Sequence, residues 1–129
     1  MIIQNVTFSD NEASSSGGAL HFQSGKGYIY NSIFYDNQST SIGGAISSEG
    51  SGYLNIFNCT ITQNTSSSVG GYYSQSAADY IMNTILWGNT STNNNAPDDN
   101  YWKNAPEYIA NTIITADFSG ENNFDSDPL

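Results

Sequence analysis

One triplet constrains this chain more than anything else in it. Ile-x-Asn recurs as Ile3/Asn5, Ile29/Asn31, Ile56/Asn58, Ile81/Asn83 and Ile109/Asn111, at intervals of 26, 27, 25 and 28 residues. Six residues after each asparagine stands another, Asn11, Asn37, Asn64 and Asn89, with Asp117 in the fifth copy. Twelve residues after the first come Gly17, Gly43 and Gly70, then Asn95 and Asn123. Gly and Asn best tolerate a positive φ, so this third column reads as one left-handed backbone position kept through every copy.

A period near 26 residues, with short β-branched runs, turn-formers between them and no helical periodicity, is the pattern of a parallel β-solenoid. Each copy is then one coil of about three short strands, stacked on its neighbours at roughly 4.8 Å. The 129 residues are expected to form one all-β domain, residues 1–129, of about five coils and three short parallel sheets. Identical positions fall above one another. Ile3, Ile29, Ile56, Ile81 and Ile109 should stack inside, and Phe8, Phe34, Ile61, Leu86 and Ile114 should form a second internal column. Both asparagine columns are expected at corners, their amides satisfying backbone groups that a turn leaves unpaired.

Charge narrows the partners. Two lysines, no arginine and twelve acids give a net charge of -10. No basic stripe is present to neutralise a phosphate backbone, so nucleic acid is excluded as a partner, and anionic lipid is repelled. No run approaches the roughly 18 to 20 apolar residues that span a bilayer, so membrane insertion is not expected. No signal peptide is visible. The chain opens on the strand-like run Ile2 to Phe8 and stops after Asp127-Pro128-Leu129, which reads as a segment of a longer secreted protein. The lone Cys59 cannot form an internal disulfide and fits best as a small buried hydrophobe.

Gly17-Gly18-Ala19-Leu20 preceded by Phe8-Ser9-Asp10-Asn11, and Gly43-Gly44-Ala45-Ile46 preceded by Phe34-Tyr35-Asp36-Asn37, resemble the GGA(I/L/V) and FxxN repeats of polymorphic outer-membrane proteins. Coil three departs, with Tyr72-Tyr73 after Gly70-Gly71 and Ile61 in place of Phe. Coil four lacks the glycine pair. Its Asn83-Thr84-Ile85-Leu86-Trp87-Gly88-Asn89, and the closing Asp125-Ser126-Asp127-Pro128-Leu129, are similar to repeats of large secreted right-handed β-helix proteins of the pectate-lyase-like superfamily. The resemblance implies a right-handed parallel β-helix and a place outside the cell or on its surface. It implies no single activity, because this architecture hosts lyases, hydrolases, adhesins and passive stalks.

No catalytic residue is assigned. Cleavage of acidic polysaccharide on such a scaffold needs a cation for the uronate and a base or paired carboxylates. Arginine is absent, and Lys26 and Lys103 fall in expected loops three coils apart. His21 has no second His or Cys at ligand spacing and reads as a surface residue. No cofactor is expected. Asp10 and Asp36 share an offset on adjacent coils and are the weak metal candidates, two oxygens towards the six to eight that Ca²⁺ takes. Gln63 and Gly88 interrupt that row. Asp117, Glu121, Asp125 and Asp127 form a looser acidic group that also suits turns. The Thr7/Ser9 and Thr60/Thr62 pairs hint at an ice-binding array, which Ile33/Tyr35 and Ile85/Trp87 break.

The outward positions say more. Flanking the Ile column stand Ile2, Tyr28, Asn55, Tyr80 and Tyr108 on one side and Gln4, Tyr30, Phe57, Met82 and Ala110 on the other. Tyr28, Tyr30, Phe57, Tyr80 and Tyr108 should form a strip too aromatic for an idle solvent face. A second group, Tyr72, Tyr73, Tyr101 and Trp102, is expected to be gathered by loops, with Tyr101 and Trp102 as further binding candidates. A bulging corner loop is expected over Asn93 to Glu107. The leading expectation is a noncatalytic adhesin or interaction scaffold that contacts a glycan or surface protein, or itself through coil ends or the strip. The alternative is a polysaccharide-binding or polysaccharide-processing module, lyase- or hydrolase-like, with active residues partly elsewhere.

Overall fold

The computed structural model describes residues 1–75, 79–93, 100–103 and 108–114. Its first coil is β1 (Ile2–Gln4), β2 (Thr7–Ser9), β3 (Glu12–Ala13) and β4 (Leu20–Phe22). The second is β5 (Lys26–Tyr30), β6 (Ile33–Tyr35), β7 (Gln38–Ser39) and β8 (Ile46–Ser48). The third is β9 (Tyr53–Phe57), β10 (Thr60–Thr62), β11 (Thr65–Ser66) and β12 (Tyr72–Ser74). The fourth is β13 (Tyr80–Met82), β14 (Ile85–Trp87), β15 (Thr90–Ser91) and β16 (Tyr101–Lys103). Then β17 (Tyr108–Ala110) and β18 (Ile113–Ile114) begin again. All pairing is parallel, in four sheets: β1-β5-β9-β13-β17, β2-β6-β10-β14-β18, β3-β7-β11-β15 and β4-β8-β12-β16. Among the described residues there is no helix, and none long and apolar enough to cross a membrane.

The fold is therefore a parallel β-solenoid of about four turns and four sheets, where five coils and three sheets were expected. The extra sheet is the third. Its strands are two residues long and mostly polar, too short to show alternation in the sequence. Part of the loop expected over residues 93–107 is β16, the fourth strand of the fourth sheet.

Register follows the repeat. Ile3, Ile29, Ile56, Ile81 and Ile109 are Cα partners in succession, and so are Phe8, Phe34, Ile61, Leu86 and Ile114. Ile29, Ile56 and Ile81 are fully buried, and Phe8 stacks on Phe34 with ring centroids 4.7 Å apart. Burying one such side chain contributes about 1.5–3 kcal/mol. A one-residue slip of β9 would put Asn55 or Phe57 where Ile56 sits, so the hydrophobic column, not the hydrogen bonds alone, fixes the register.

The two asparagine columns do different work. Asn5, Asn31, Asn58, Asn83 and Asn111 all lie at φ between 49° and 55°, exposed at the corner between the first and second sheets. This is the left-handed column that runs through all five copies. The expected one is left-handed at Gly17 (φ 66°) and Gly43 (φ 65°) but not at Gly70, while Asn95 and Asn123 lie outside the described residues. A further left-handed column precedes the second asparagine: Asp10, Asp36, Gln63 and Gly88.

The second asparagine column is a ladder, buried from Asn37 onwards. Asn11 Nδ2 donates to Asn37 Oδ1 (2.8 Å), Asn37 Nδ2 to Asn64 Oδ1 (2.9 Å) and Asn64 Nδ2 to Asn89 Oδ1 (2.8 Å). Each Oδ1 also accepts the backbone N–H of the asparagine one turn earlier. Asp117, expected as the fifth member, lies outside the described residues. Beside this ladder the chain needs glycine for space: a Cβ on Gly44 would collide with the carbonyls of Gly70 and Thr65 in the next turn.

Candidate binding face

The outer face of the first sheet is built by alternation. In β5, β9, β13 and β17 the Ile column points in, so its neighbours point out. Register gives two outer columns: Ile2, Tyr28, Asn55, Tyr80, Tyr108, and Gln4, Tyr30, Phe57, Met82, Ala110. Tyr28 and Tyr30 lie 6.3 Å apart with nearly parallel rings, and Tyr30 and Phe57 are 5.4 Å apart. Tyr80 and Tyr108 follow at 6.2 Å, 46% and 40% exposed. The sequence-derived strip of Tyr28, Tyr30, Phe57, Tyr80 and Tyr108 is thus brought together on one face.

Within that face is a notch. Asn55 is the short residue in a column that carries tyrosine in the turn before it and in the two turns after it. Its side chain is buried and donates weakly to the Gly27 carbonyl (3.4 Å). Around it stand Tyr28 in the preceding turn, Tyr80 in the following one, Tyr53 and Phe57 two residues either side on β9, and Tyr30 diagonally. Together they line a cleft of about 360 Å³. Lys26 opens β5 at the lip, its Nζ 5.4 Å from the centre of the Tyr53 ring. A hydrogen bond to Tyr53, with the pull of its phenol, raises the Lys26 pKa from the ordinary value. The same bond lowers that of Tyr53, while Tyr28, hydrogen-bonded to Tyr53, is raised.

Sequence reasoning missed Tyr53, Asn55 and Lys26 as parts of this site. The signal was there: Asn55 breaks a tyrosine column, and Lys26 and Tyr53 are Cα partners at the starts of β5 and β9.

The second aromatic group is corrected. Tyr72 and Tyr73 lie in β12 and Tyr101 and Trp102 in β16, on strands rather than loops. Tyr101, proposed for binding, is in the interior at 4% exposure and stacks on the fully buried Tyr72 at 5.7 Å. The Trp102 side chain lies outside the described part. Tyr72 Oη donates to Asp79, as does Ser74 Oγ at 2.6 Å, and Asp79 Oδ1 accepts the Leu54 N–H at 2.6 Å. This buried carboxylate was not foreseen. Its three donors offset its loss of water.

Asp10 and Asp36 sit in the left-handed corner column, which explains their shared offset through the backbone. Among the described residues no group of three His, Cys, Asp or Glu side chains is gathered for a metal. The C-terminal acidic group from Asp117 to Asp127 lies outside them. His21 is exposed, 3.7 Å from Glu49, which also accepts from Ser47 Oγ. Cys59 is buried, and burial pushes its thiol pKa up.

The class so defined is a parallel β-solenoid with an aromatic outer sheet. The model of the Chlamydia polymorphic membrane protein repeat matches residues 5–23 and 31–49. Each match runs from a left-handed corner asparagine to one residue beyond the fourth-sheet strand, and so spans three of the turn's four strands. The first two turns thus carry polymorphic-membrane-protein-like β-helix repeats, a type found in surface-associated outer-membrane proteins. Comparison with curated proteins and with solved structures gives no match.

Proposed function

We propose that this chain is a noncatalytic β-helix segment exposed on a bacterial surface, acting as adhesin or interaction scaffold through the outer face of its first sheet. The observation that carries this is the strip Tyr28, Tyr30, Phe57, Tyr80 and Tyr108, held in register by the Ile column yet outside the core. Exposed, contiguous aromatic surface of this kind marks interaction sites. Among the described residues the cleft is lined by Tyr28, Tyr30, Tyr53, Phe57, Tyr80 and Asn55, a largely aromatic wall suited to binding. The matched repeat type supports the surface location.

A second reading, a polysaccharide-binding or polysaccharide-processing module with active residues partly outside this segment, is favoured by the notch, whose size suits one small ligand unit. Kinship with pectate-lyase-like helices belongs with this reading and rests on the coil-four residues Asn83 to Asn89 and the closing Asp125 to Leu129. The test is the double variant Tyr28→Ser, Tyr80→Ser. We expect its urea midpoint to stay near wild type and its binding to host-cell surfaces, glycan arrays or itself to fall at least about ten-fold. Unchanged binding would remove the face from the proposal.

A further inference from the structure

The notch has a particular combination of walls. Tyr28 and Tyr80 are two turns apart in one column, about 9.6 Å along the axis. A group seated midway meets each side near the roughly 4 Å of van der Waals contact. Tyr53 and Phe57 close the other two sides, and the Asn55 amide makes the floor. Ring faces attract cations, most strongly those too weakly hydrated to prefer water. The net charge of -10 raises cation concentration at the surface. Yet a simple cation meets Lys26 at the lip, and a simple anion meets the electron-rich ring faces. A neutral sugar finds few inward hydrogen-bonding groups beyond one amide. A zwitterion with its two charges a few ångströms apart satisfies both parts at once.

We propose that the notch takes a phosphocholine group, the trimethylammonium among Tyr28, Tyr53, Phe57 and Tyr80 and the phosphate on the Lys26 ammonium. This rests on the reading of the first sheet as the working face and names what that face binds. A quaternary ammonium has no hydrogen-bond donor, so walls of ring carbon leave none of its groups unsatisfied. Lys26 is set two residues before Tyr28 on β5, its Nζ 5.4 Å from the centre of the Tyr53 ring that lines the cleft.

The experiment is titration of the folded chain with phosphocholine, followed by NMR and calorimetry. The controls are choline and 3,3-dimethylbutyl phosphate, which replaces the charged nitrogen by carbon. We expect saturable phosphocholine binding, with the isostere that lacks the ammonium charge at least about five-fold weaker. Lys26→Gln should weaken phosphocholine several-fold and leave choline binding no weaker, since it removes a like charge. Asn55→Tyr, which fills the notch with the residue its column carries in neighbouring turns, should abolish binding without lowering the melting midpoint. If that variant does not fold, Tyr80→Ala removes one wall from the exposed side and should weaken binding to a similar degree. Phosphatidylcholine vesicles separate the sources: binding to them assigns a lipid headgroup, and soluble phosphocholine alone assigns a free or glycan-borne one. Equal affinity for the isostere, or full binding by the filled or opened notch, overturns the proposal. If Tyr28→Ser, Tyr80→Ser loses adhesion that phosphocholine does not compete, the ligand is wrong and the working face stands. If it keeps adhesion while losing phosphocholine, the notch stands and the adhesin reading falls.

Discussion

Asn89 and Asn100, eleven residues apart, are joined as ladder neighbours that elsewhere lie 25 to 27 residues apart. The Asn89 backbone N–H and Nδ2 both donate to Asn100 Oδ1, at 3.1 and 2.8 Å. The Asn100 carbonyl accepts the Tyr72 N–H at 2.9 Å. One residue of the fourth turn thus takes the ladder place next to the Asn89 rung, a role no repeat position announces.

Asn100→Ala should therefore unfold in urea at a lower midpoint, by about 1–3 kcal/mol, because two buried donors on Asn89 lose their acceptor. Native-state hydrogen exchange should place the loss at the Asn89 amide first. An unchanged midpoint together with unchanged protection there would show that the Asn89 rung does not depend on Asn100.

The two asparagine columns should separate sharply on substitution. Asn64 Nδ2 donates to the Phe34 and Thr62 carbonyls and to Asn89, and its Oδ1 accepts twice from Asn37. Asn64→Leu leaves several of these groups buried and unpaired and should cost about 3 kcal/mol or more. Asn58 is exposed at φ 54°, and its amide's bonds, to Asn31 at 3.3 Å and from Asn83 at 3.1 Å, can be replaced by water, so Asn58→Gly should cost clearly less, about 1 kcal/mol or below. Equal effects in chemical denaturation would contradict the division of labour.

That division was not legible from spacing, because both columns read as asparagine at a corner. The clue lay in the neighbours. The residue before the buried asparagine is Asp10, Asp36, Gln63 or Gly88, tolerant of the left-handed region. The one after the exposed asparagine is Ser32, Cys59, Thr84 or Thr112 in later turns, small enough to tuck back onto a carbonyl two residues earlier. The Ile column and the outer strip were readable because alternation in and out of a strand has period two. Tyr101 was misplaced because its loop context hid a strand that pairs with β12. The notch was missed because a single asparagine in a tyrosine column looks like noise until the turns are stacked.

Cys59 belongs to that tucked row. Its Sγ lies 3.2 Å from the Phe57 carbonyl, as Ser32 Oγ lies 2.8 Å from that of Tyr30. Cys59→Ser should be tolerated within about 1 kcal/mol, since the hydroxyl takes the same contact. Burial raises the folded thiol pKa, so the folded state holds the proton more tightly. That contribution is complete below the ordinary thiol value of 9.0 and is lost as pH climbs through the raised folded one. Wild type minus Cys59→Ser, compared by urea midpoint from about pH 8 to pH 11, should show this alkaline loss. A flat difference, or fast thiol labelling of the native chain at neutral pH, would contradict it.

The interior carboxylate gives the last prediction. Asp79 is fully buried and shares its Oδ2 between Tyr72 Oη and Ser74 Oγ, while Oδ1 holds the Leu54 N–H. Tyr72→Phe keeps the ring stacked on Tyr101 and removes a donor to the buried Asp79 carboxyl group. It should cost about 1–3 kcal/mol, because the acceptor it abandons is buried. Tyr80→Phe alters a phenol on the outer face of the same solenoid and should cost nothing measurable. Thermal melts of the two variants side by side make the comparison internal: the difference between them, not either midpoint alone, reports the Tyr72–Asp79 bond. Equal midpoints would mean that Asp79 is held by Ser74 and the Leu54 backbone without help from the tyrosine.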